Sequence, residues 1–352
     1  MLRDRDAIIT KEGLIFRVLG YSHPPISYIC DAEYAPIDVF KSKNPKAFRN
    51  RGQNVFYKFY HDEGWKFVED KFPQYMIYHE KLRRRVIGVN CNDVVELRKP
   101  NEKLRELTGT TSKDELLFAL QGVLDTVIEH TGLAFRHFGV FGSLLHGFYH
   151  PEFSDIDLVV YGKRNIARLC ETLEDLHGAP SSPLGNEFET EQSIDGKGWH
   201  FQNLSHKEFL WHQRRKLIYA VYADRKSDRT IKTEFEPVKE WNEITNEYNE
   251  TTGILQRGWV RVQARITEDD EAPFIPSLYG IEPQQVLKGP REALEVKRVV
   301  SYMEEFRMQA KKDETVDVEG NLEQVITLGS SFYQIALTYC PRYYEQVLKV
   351  TN

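Results

Sequence analysis

Two aspartates separated by one residue stand at the start of an apolar run. Asp155 and Asp157 flank Ile156, and Leu-Val-Val-Tyr follows them. Side chains at positions i and i+2 of a β-strand point to the same face, so both carboxylates would converge on one side of a sheet. Convergent carboxylates supply the hard oxygen ligands that Mg²⁺ prefers. The spacing therefore predicts a divalent-metal site.

A Gly-Ser pair lies shortly before these aspartates. The pair is Gly142-Ser143; residues 133–141 (LAFRHFGVF) read as a buried strand and residues 143–149 as a short helix. Backbone N–H groups at a strand-to-helix turn can hold a phosphate. A metal site beside a phosphate site indicates nucleotide chemistry. The alternative is an ordinary strand-helix-strand turn with two solvated aspartates.

The pattern Gly142-Ser143, followed by Ser154-Asp155-Ile156-Asp157-Leu158-Val159-Val160, resembles the nucleotidyltransferases of the DNA polymerase beta superfamily. The resemblance covers residues 110–240, and the whole chain is most similar to uncharacterised stand-alone archaeal or bacterial members. It implies a mixed β-sheet with flanking helices, an NTP substrate such as ATP, and Mg²⁺ or Mn²⁺ as the metal. In this superfamily a third carboxylate comes from a later strand.

Residues 229–237 (RTIKTEFEP) alternate as a strand that offers this third carboxylate. Lys232, Glu234 and Glu236 share one face of it. Because the acid in related enzymes often lies three residues before a proline, the resemblance favours Glu234, with Glu236 as the second candidate. Many relatives have Asp here, so the glutamate departs from the family pattern. The alternative is a solvated edge strand.

The resemblance also implies roles for individual residues. It makes Asp155, Asp157 and Glu234 the catalytic metal ligands, and it assigns the nucleotide to Gly142, Ser143 and Ser154. Residues 207–222 read as a helix whose cations can neutralise a triphosphate, unless they are simply solvated; these cations are Arg214, Arg215 and Lys216.

A second basic segment lies near the N-terminus. Residues 40–51 contain a proline, several polar residues and no acid, which predicts an exposed loop. Such a loop can bind nucleic-acid phosphates, with Phe48 or Tyr57 available to stack a base, or it can be merely solvated. Its cations are Lys41, Lys43, Lys46, Arg49 and Arg51.

The remaining patterns predict an α+β protein of three domains. Residues 1–108 form an α+β domain that includes a hairpin of residues 7–9 and 14–19, and residues 109–245 form the nucleotidyltransferase domain. Residues 250–352 form a β-rich, barrel-like domain. A linker spans residues 99–111; the helix after it starts with a capping box of Ser112 and Glu115 and stops at Gly132.

Composition limits the class of protein. Among 352 residues no run of 18 apolar residues occurs and the N-terminus is charged, so neither a transmembrane helix nor a signal peptide is expected. The four cysteines lie far apart, which favours reduced thiols and a cytoplasmic location.

The acceptor of the nucleotide stays open among three readings. The basic loop and the flanking domains favour an RNA 3′ end. The net charge of −6 favours a protein hydroxyl or a small molecule. The departure at the third carboxylate favours a nucleotide-binding or RNA-binding protein without catalysis.

Overall fold

The computed structural model describes residues 1–52, 54–60, 62–111, 113–190, 199–224, 228–338 and 342–351. Within these ranges it has the predicted mixed α+β character. The strands are β1 (Ala7–Ile9), β2 (Ile15–Val18), β3 (Ser27–Pro36), β4 (Phe48–Arg51), β5 (Asn54–Lys58), β6 (Met76–His79), β7 (Arg84–Asn90), β8 (Glu96–Arg98), β9 (Phe138–Val140), β10 (Ile156–Tyr161), β11 (Leu184–Asn186), β12 (Tyr219–Asp224), β13 (Arg229–Val238), β14 (Thr251–Glu271), β15 (Ser277–Lys288), β16 (Val296–Ser301), β17 (Thr315–Thr327), β18 (Ser331–Leu337) and β19 (Val347–Val350). The α-helices are α1 (Glu63–Lys71), α2 (Pro100–Gly109), α3 (Glu115–Thr131), α4 (Gly142–His146), α5 (Lys163–Gly178) and α6 (His206–Arg214).

The first eight strands belong to one sheet. Its path is β4-β5-β3-β2-β1-β8, and β7 pairs with β3 and with β6. The predicted hairpin is confirmed as β1 and β2, which pair antiparallel around a turn where Gly13 has a φ of +77°. Ile8 and Phe16 are fully buried in the core of this region, which α1 also covers.

Two segments predicted as irregular are partly regular. Residues 48–51 of the basic loop form β4, which pairs with β5. The predicted linker contains α2, whose buried Pro100, Leu104 and Leu107 lie four and three residues apart, as one face of a helix requires. Proline at the first helical position also favours a helix start. The linker prediction is therefore wrong because this apolar stripe packs as one face of a helix against β9.

The central sheet is mixed, as predicted, with the order β11-β12-β13-β10-β9. Only β10 and β13 are parallel among the described pairs of this sheet. Ile156, Leu158 and Val160 are fully buried, and α5 packs against β10 and β13. The helix α3 packs against α5 and β12. Alternation along β10 places the aspartates on the opposite face, where Val159 is also buried.

The ends of two helices differ from the prediction. Ser112 of the predicted capping box lies outside the described residues; Asp114 caps α3 by accepting a hydrogen bond from the Leu117 N–H at 3.0 Å. As predicted, α3 stops at Gly132. The predicted helix of residues 207–222 is wrong at its end, because α6 stops at Arg214 and Leu217 adopts a φ of +55°.

The C-terminal strands close into a barrel. The 21-residue β14 pairs with β17 along its first part and with β15 along its last part, and the ring continues through β16 and β18. The strands β16 and β18 are parallel, and β19 extends β17. This closed order of first, second, third, fifth and fourth strand is that of an OB-fold barrel. Alternate residues of β14, from Val260 to Ile266, fill the interior.

The described chain separates into two compact units. The first holds residues 1–78, 85–187 and 217–244, and the second holds residues 79–84, 188–216 and 245–352. The first unit therefore contains both the N-terminal sheet and the central sheet, while the division into three domains stays a prediction. None of the helices in the described ranges has the length and apolar character needed to cross a membrane.

Candidate active site

The predicted carboxylates lie on two neighbouring parallel strands. The register of β10 and β13 places Asp157 beside Glu234, and Asp155 immediately precedes β10. Because Ile156 and Leu158 are buried on the opposite face, both aspartates project from the same face of the sheet. The strand pair thus brings acids from two distant segments to one face of the sheet.

These carboxylates line one pocket of about 180 Å³. Sequence reasoning did not single out Glu187, which follows β11 and adds a fourth carboxylate to the described lining. Its Oε1 lies 2.5 Å from Nζ of Lys232, so an ion pair closes one side of the pocket. The lining residues are Asp155, Asp157, Glu187, Lys232, Thr233 and Glu234.

Burial and crowding of negative charge raise the pKa of both aspartates. Burial and the Glu236 carboxylate raise the pKa of Asp157 to about 7, against the attraction of Lys58. Burial also raises the pKa of Asp155, while Lys232 opposes that rise. A carboxylate whose pKa is raised in this way is one whose charged form a bound cation would stabilise.

The donor chemistry of this pocket fits a metal that arrives with phosphates. Mg²⁺ in nucleotide sites is held by one or two carboxylates plus substrate oxygens. Within the described ranges, no group of three or more carboxylate, imidazole or thiol side chains is arranged to hold a metal by itself. Asp155 and Asp157 provide two carboxylates with raised pKa values. They fit a site in which the phosphate oxygens of the nucleotide supply the other metal ligands.

Gly142 allows the Gly-Ser turn to lie against Asp157. Its φ is +57°, and a Cβ on this residue would lie 2.1 Å from Oδ2 of Asp157. The Phe141 N–H donates to the Asp157 carbonyl at 2.9 Å, which ties the turn to β10. The first residues of α4 and the aspartate pair are therefore neighbours, and any side chain at position 142 would displace the carboxylate.

The second candidate for the third carboxylate, Glu236, has a different environment. It is buried and accepts hydrogen bonds from Nε and Nη2 of Arg5 at 3.2 and 2.5 Å. Arg5 is itself fully buried, and Asp4 lies 3.9 Å from its Nε. This contact ties the N-terminal residues to β13, whereas Glu234 lines the pocket.

Ser154 holds the turn that leads to Asp155. Its hydroxyl accepts a hydrogen bond from the His150 N–H at 2.8 Å. Its carbonyl accepts one from Nη2 of Arg229, whose Nη1 donates to the carbonyl of Pro151. The structure therefore places this residue in the loop that sets the position of the first aspartate.

The three cations predicted for the triphosphate belong to the second compact unit, while the pocket belongs to the first. Arg214 pairs with Glu189 at 2.5 Å, and Arg215 pairs with Glu314. Lys216 is 1% exposed and donates to a backbone carbonyl at 2.7 Å. Each of these cations thus has an internal partner.

The cations of the basic segment divide into two groups. Lys41, Lys43 and Lys46 are exposed before β4, in agreement with a solvated surface. Arg49 is partly buried on β4, and its Nη1 donates to the carbonyls of Lys46 and Phe48. Arg51 ends β4, and its side chain lies outside the described residues.

Comparison with known proteins identifies the central region. Residues 136–219 match the family model described as nucleotidyltransferase domain, a stretch that includes Gly142, Ser143, Asp155 and Asp157. Glu234 lies beyond the match. An uncharacterised protein of Methanocaldococcus jannaschii is 26% identical over 339 residues, which cover 95% of this chain and 94% of the relative. No solved structure matches the chain. The chain therefore contains a nucleotidyltransferase domain, built around β9, α4 and β10.

Proposed function

We propose that this protein transfers a nucleoside monophosphate from an NTP to an acceptor hydroxyl and releases pyrophosphate, in a reaction that depends on Mg²⁺ or Mn²⁺. The observation that carries the proposal is the common pocket of Asp155, Asp157 and Glu234. It lies next to the Gly142-Ser143 turn, within or beside the matched domain. The acids supply the metal-binding part of a nucleotide site, and the turn supplies its phosphate-binding part.

In this proposal each residue has a defined task. Asp155 and Asp157 bind the metal–nucleotide complex, and Glu234 completes the set for a second ion in a two-metal site. The ions, when bound, lower the pKa of the acceptor hydroxyl and neutralise phosphate charge. Ser143 and the neighbouring N–H groups orient the phosphates, and Ser154 holds the turn that positions Asp155.

The acceptor that we favour is an RNA 3′ end. The closed order of the C-terminal barrel supports it, because barrels of this type bind oligonucleotides among other ligands. A protein or small-molecule acceptor is the second candidate. Two arginines on the outer face of β14 favour this second candidate. Arg261 pairs with Asp317 and Arg265 pairs with Glu282, and these ion pairs lower the attraction of the arginines for RNA phosphates.

The experiment incubates the protein with each labelled NTP, Mg²⁺ or Mn²⁺, and a pool of small RNAs. Label on RNA supports the favoured acceptor, and label on protein or small molecules supports the second. Binding of nucleotide without any transfer would indicate a non-catalytic protein. Asp155→Asn and Asp157→Asn should each abolish transfer, whereas Asp175→Asn, at an exposed position of α5, should not. Full transfer by either pocket variant contradicts the mechanism.

A further inference from the structure

The hairpin of β4 and β5 carries two cations on one face. Residues directly opposite each other in an antiparallel pair share a face, and Arg49 lies opposite Phe56. Lys58 is two residues beyond Phe56 on β5, so it points to the same side. Lys58 in turn lies opposite Tyr34 of β3. Arg49, Phe56, Lys58 and Tyr34 therefore share one face of the N-terminal sheet.

This face packs against the segment that follows the Gly-Ser turn. The ring of Phe56 stacks on Phe148 with centroids 4.5 Å apart. The ring of Tyr34 lies 5.1 Å from His146 and 5.4 Å from Phe148. Because these aromatic contacts flank Arg49 and Lys58 along the strands, they hold both cations beside α4 and the residues after it.

A β-bulge in β3 adds to this contact. Ile15 pairs with Tyr34 and Phe16 with Ala32, so Glu33 is an extra residue in the ladder. Bulges redirect side chains, often next to functional sites. Here Glu33 comes within 3.5 Å of Nε2 of the fully buried His146. The sheet and α4 are thereby joined by rings and by a polar contact.

The charges of both cations reach the aspartates of the pocket. Burial raises the pKa of Asp155 and of Asp157, and the positive charges of Arg49 and Lys58 oppose that rise at Asp155 and Asp157, respectively. The Lys58 side chain is charged at neutral pH, since the pKa of a lysine is ordinarily about 10.4 and the surroundings of Lys58 raise it further. Within the described ranges neither cation forms a salt bridge with a carboxylate. By contrast, Lys232 is engaged with Glu187.

We propose that Arg49 and Lys58 bind the terminal phosphates of the NTP, so that the N-terminal sheet forms one wall of the nucleotide site. The proposal rests on the function proposed above. The carboxylates of the pocket repel a bare triphosphate, and two cations held beside them give its phosphates charge-assisted hydrogen bonds. The role of the N-terminal region is then to complete a site that the nucleotidyltransferase domain only begins.

The test measures binding of Mg²⁺-tripolyphosphate to the full-length protein by calorimetry, which needs neither the correct base nor an acceptor. Arg49→Gln and Lys58→Gln should each weaken binding about tenfold or more, since each removes a charge-assisted contact. The slope of log Kd against log salt should also become shallower. Lys71→Gln, an exposed lysine of α1, is the matched control and should bind like the wild type.

Each outcome has a separate meaning. Wild-type affinity in both Arg49→Gln and Lys58→Gln overturns this inference, and NTP transfer by the same samples would leave the proposed function standing. A wild-type protein that binds neither Mg²⁺-tripolyphosphate nor any NTP overturns both. Lys58→Arg, which retains the charge, should keep most of the affinity for Mg²⁺-tripolyphosphate. If Lys58→Arg and Lys58→Gln lose this affinity equally while their melting temperatures stay unchanged, the charge of Lys58 does not bind the phosphates.

Discussion

At the scale of single residues, the two glutamates of β13 are chemically identical and differ in surroundings. Glu236→Gln should destabilise the protein by about 3–5 kcal/mol, because it takes the charged partner from a fully buried Arg5. Glu234→Gln should change stability by less than about 1 kcal/mol and reduce transfer about 100-fold or more, because Glu234 lines the pocket. Urea denaturation and the labelled-NTP assay measure the two effects. The reverse pattern would make Glu236 the catalytic acid.

Residue spacing in the sequence predicted only part of this environment. The i, i+2 spacing of Asp155 and Asp157 was sufficient, because strand alternation is a local property. No local pattern marks Glu187, which directly follows β11 and reaches the pocket only because β11 pairs with β12. Arg5, Arg49 and Lys58 precede the acids that they act on by about 100 to 231 residues, so their placement depends on tertiary packing.

At the scale of elements, the turn from β9 into α4 depends on Gly142. An alanine there would take a left-handed φ of +57° and place its Cβ 2.1 Å from Oδ2 of Asp157. Gly142→Ala should therefore cost about 1–3 kcal/mol of stability and weaken nucleotide binding. Gly178→Ala, at the end of α5 with no atoms within 4 Å of the new Cβ, should be neutral or slightly stabilising. Thermal unfolding and calorimetry check both; native behaviour of Gly142→Ala would mean that the turn is not constrained.

Element boundaries were predictable where local chemistry decides them. The left-handed Gly132 ended α3 as expected, and Ser205 formed a capping box with Glu208 at the start of α6. The end of α6 was not predictable, because residues 219–224 gain hydrogen bonds from β11 and β13 on both sides. That gain exists only in the assembled sheet, and it outweighs the helical pattern that the sequence continues.

At the scale of the whole molecule, the sequence indicated strands in the C-terminal region and did not reveal how they close. The alternation of apolar and polar residues over 259–266 is a local signal for a strand, but β14 is 21 residues long and pairs with both β15 and β17. Closure depends on pairings between β14 and β17 whose paired residues are 50 to 76 positions apart in the chain. Such long-range pairing leaves no mark on a single strand, so the sequence predicted a β-rich, barrel-like domain but not the order of the strands that close it.

Three buried histidines make the stability of the whole chain sensitive to acid. Burial lowers the pKa of His23 and His79 to about 4 and that of His212 to about 3. Each accepts a backbone N–H on a ring nitrogen, which an imidazolium cannot do. Because these folded-state pKa values lie below the unfolded value of about 6.5, the stabilisation is complete above pH 6.5 and is lost as the pH falls towards 3.

One variant can isolate the loss of stability that the histidines cause at acid pH. It is needed because carboxyls with raised pKa values, such as Asp6, stabilise the wild type as the pH falls. His212→Gln removes one titrating group and leaves those carboxyls unchanged. The stability difference between wild type and His212→Gln should therefore shift by about 2 kcal/mol in favour of the variant between pH 7 and pH 5. Urea denaturation at the two pH values measures this shift. A difference that is independent of pH would mean that His212 has the same pKa in the folded and the unfolded protein, as a solvent-exposed histidine would.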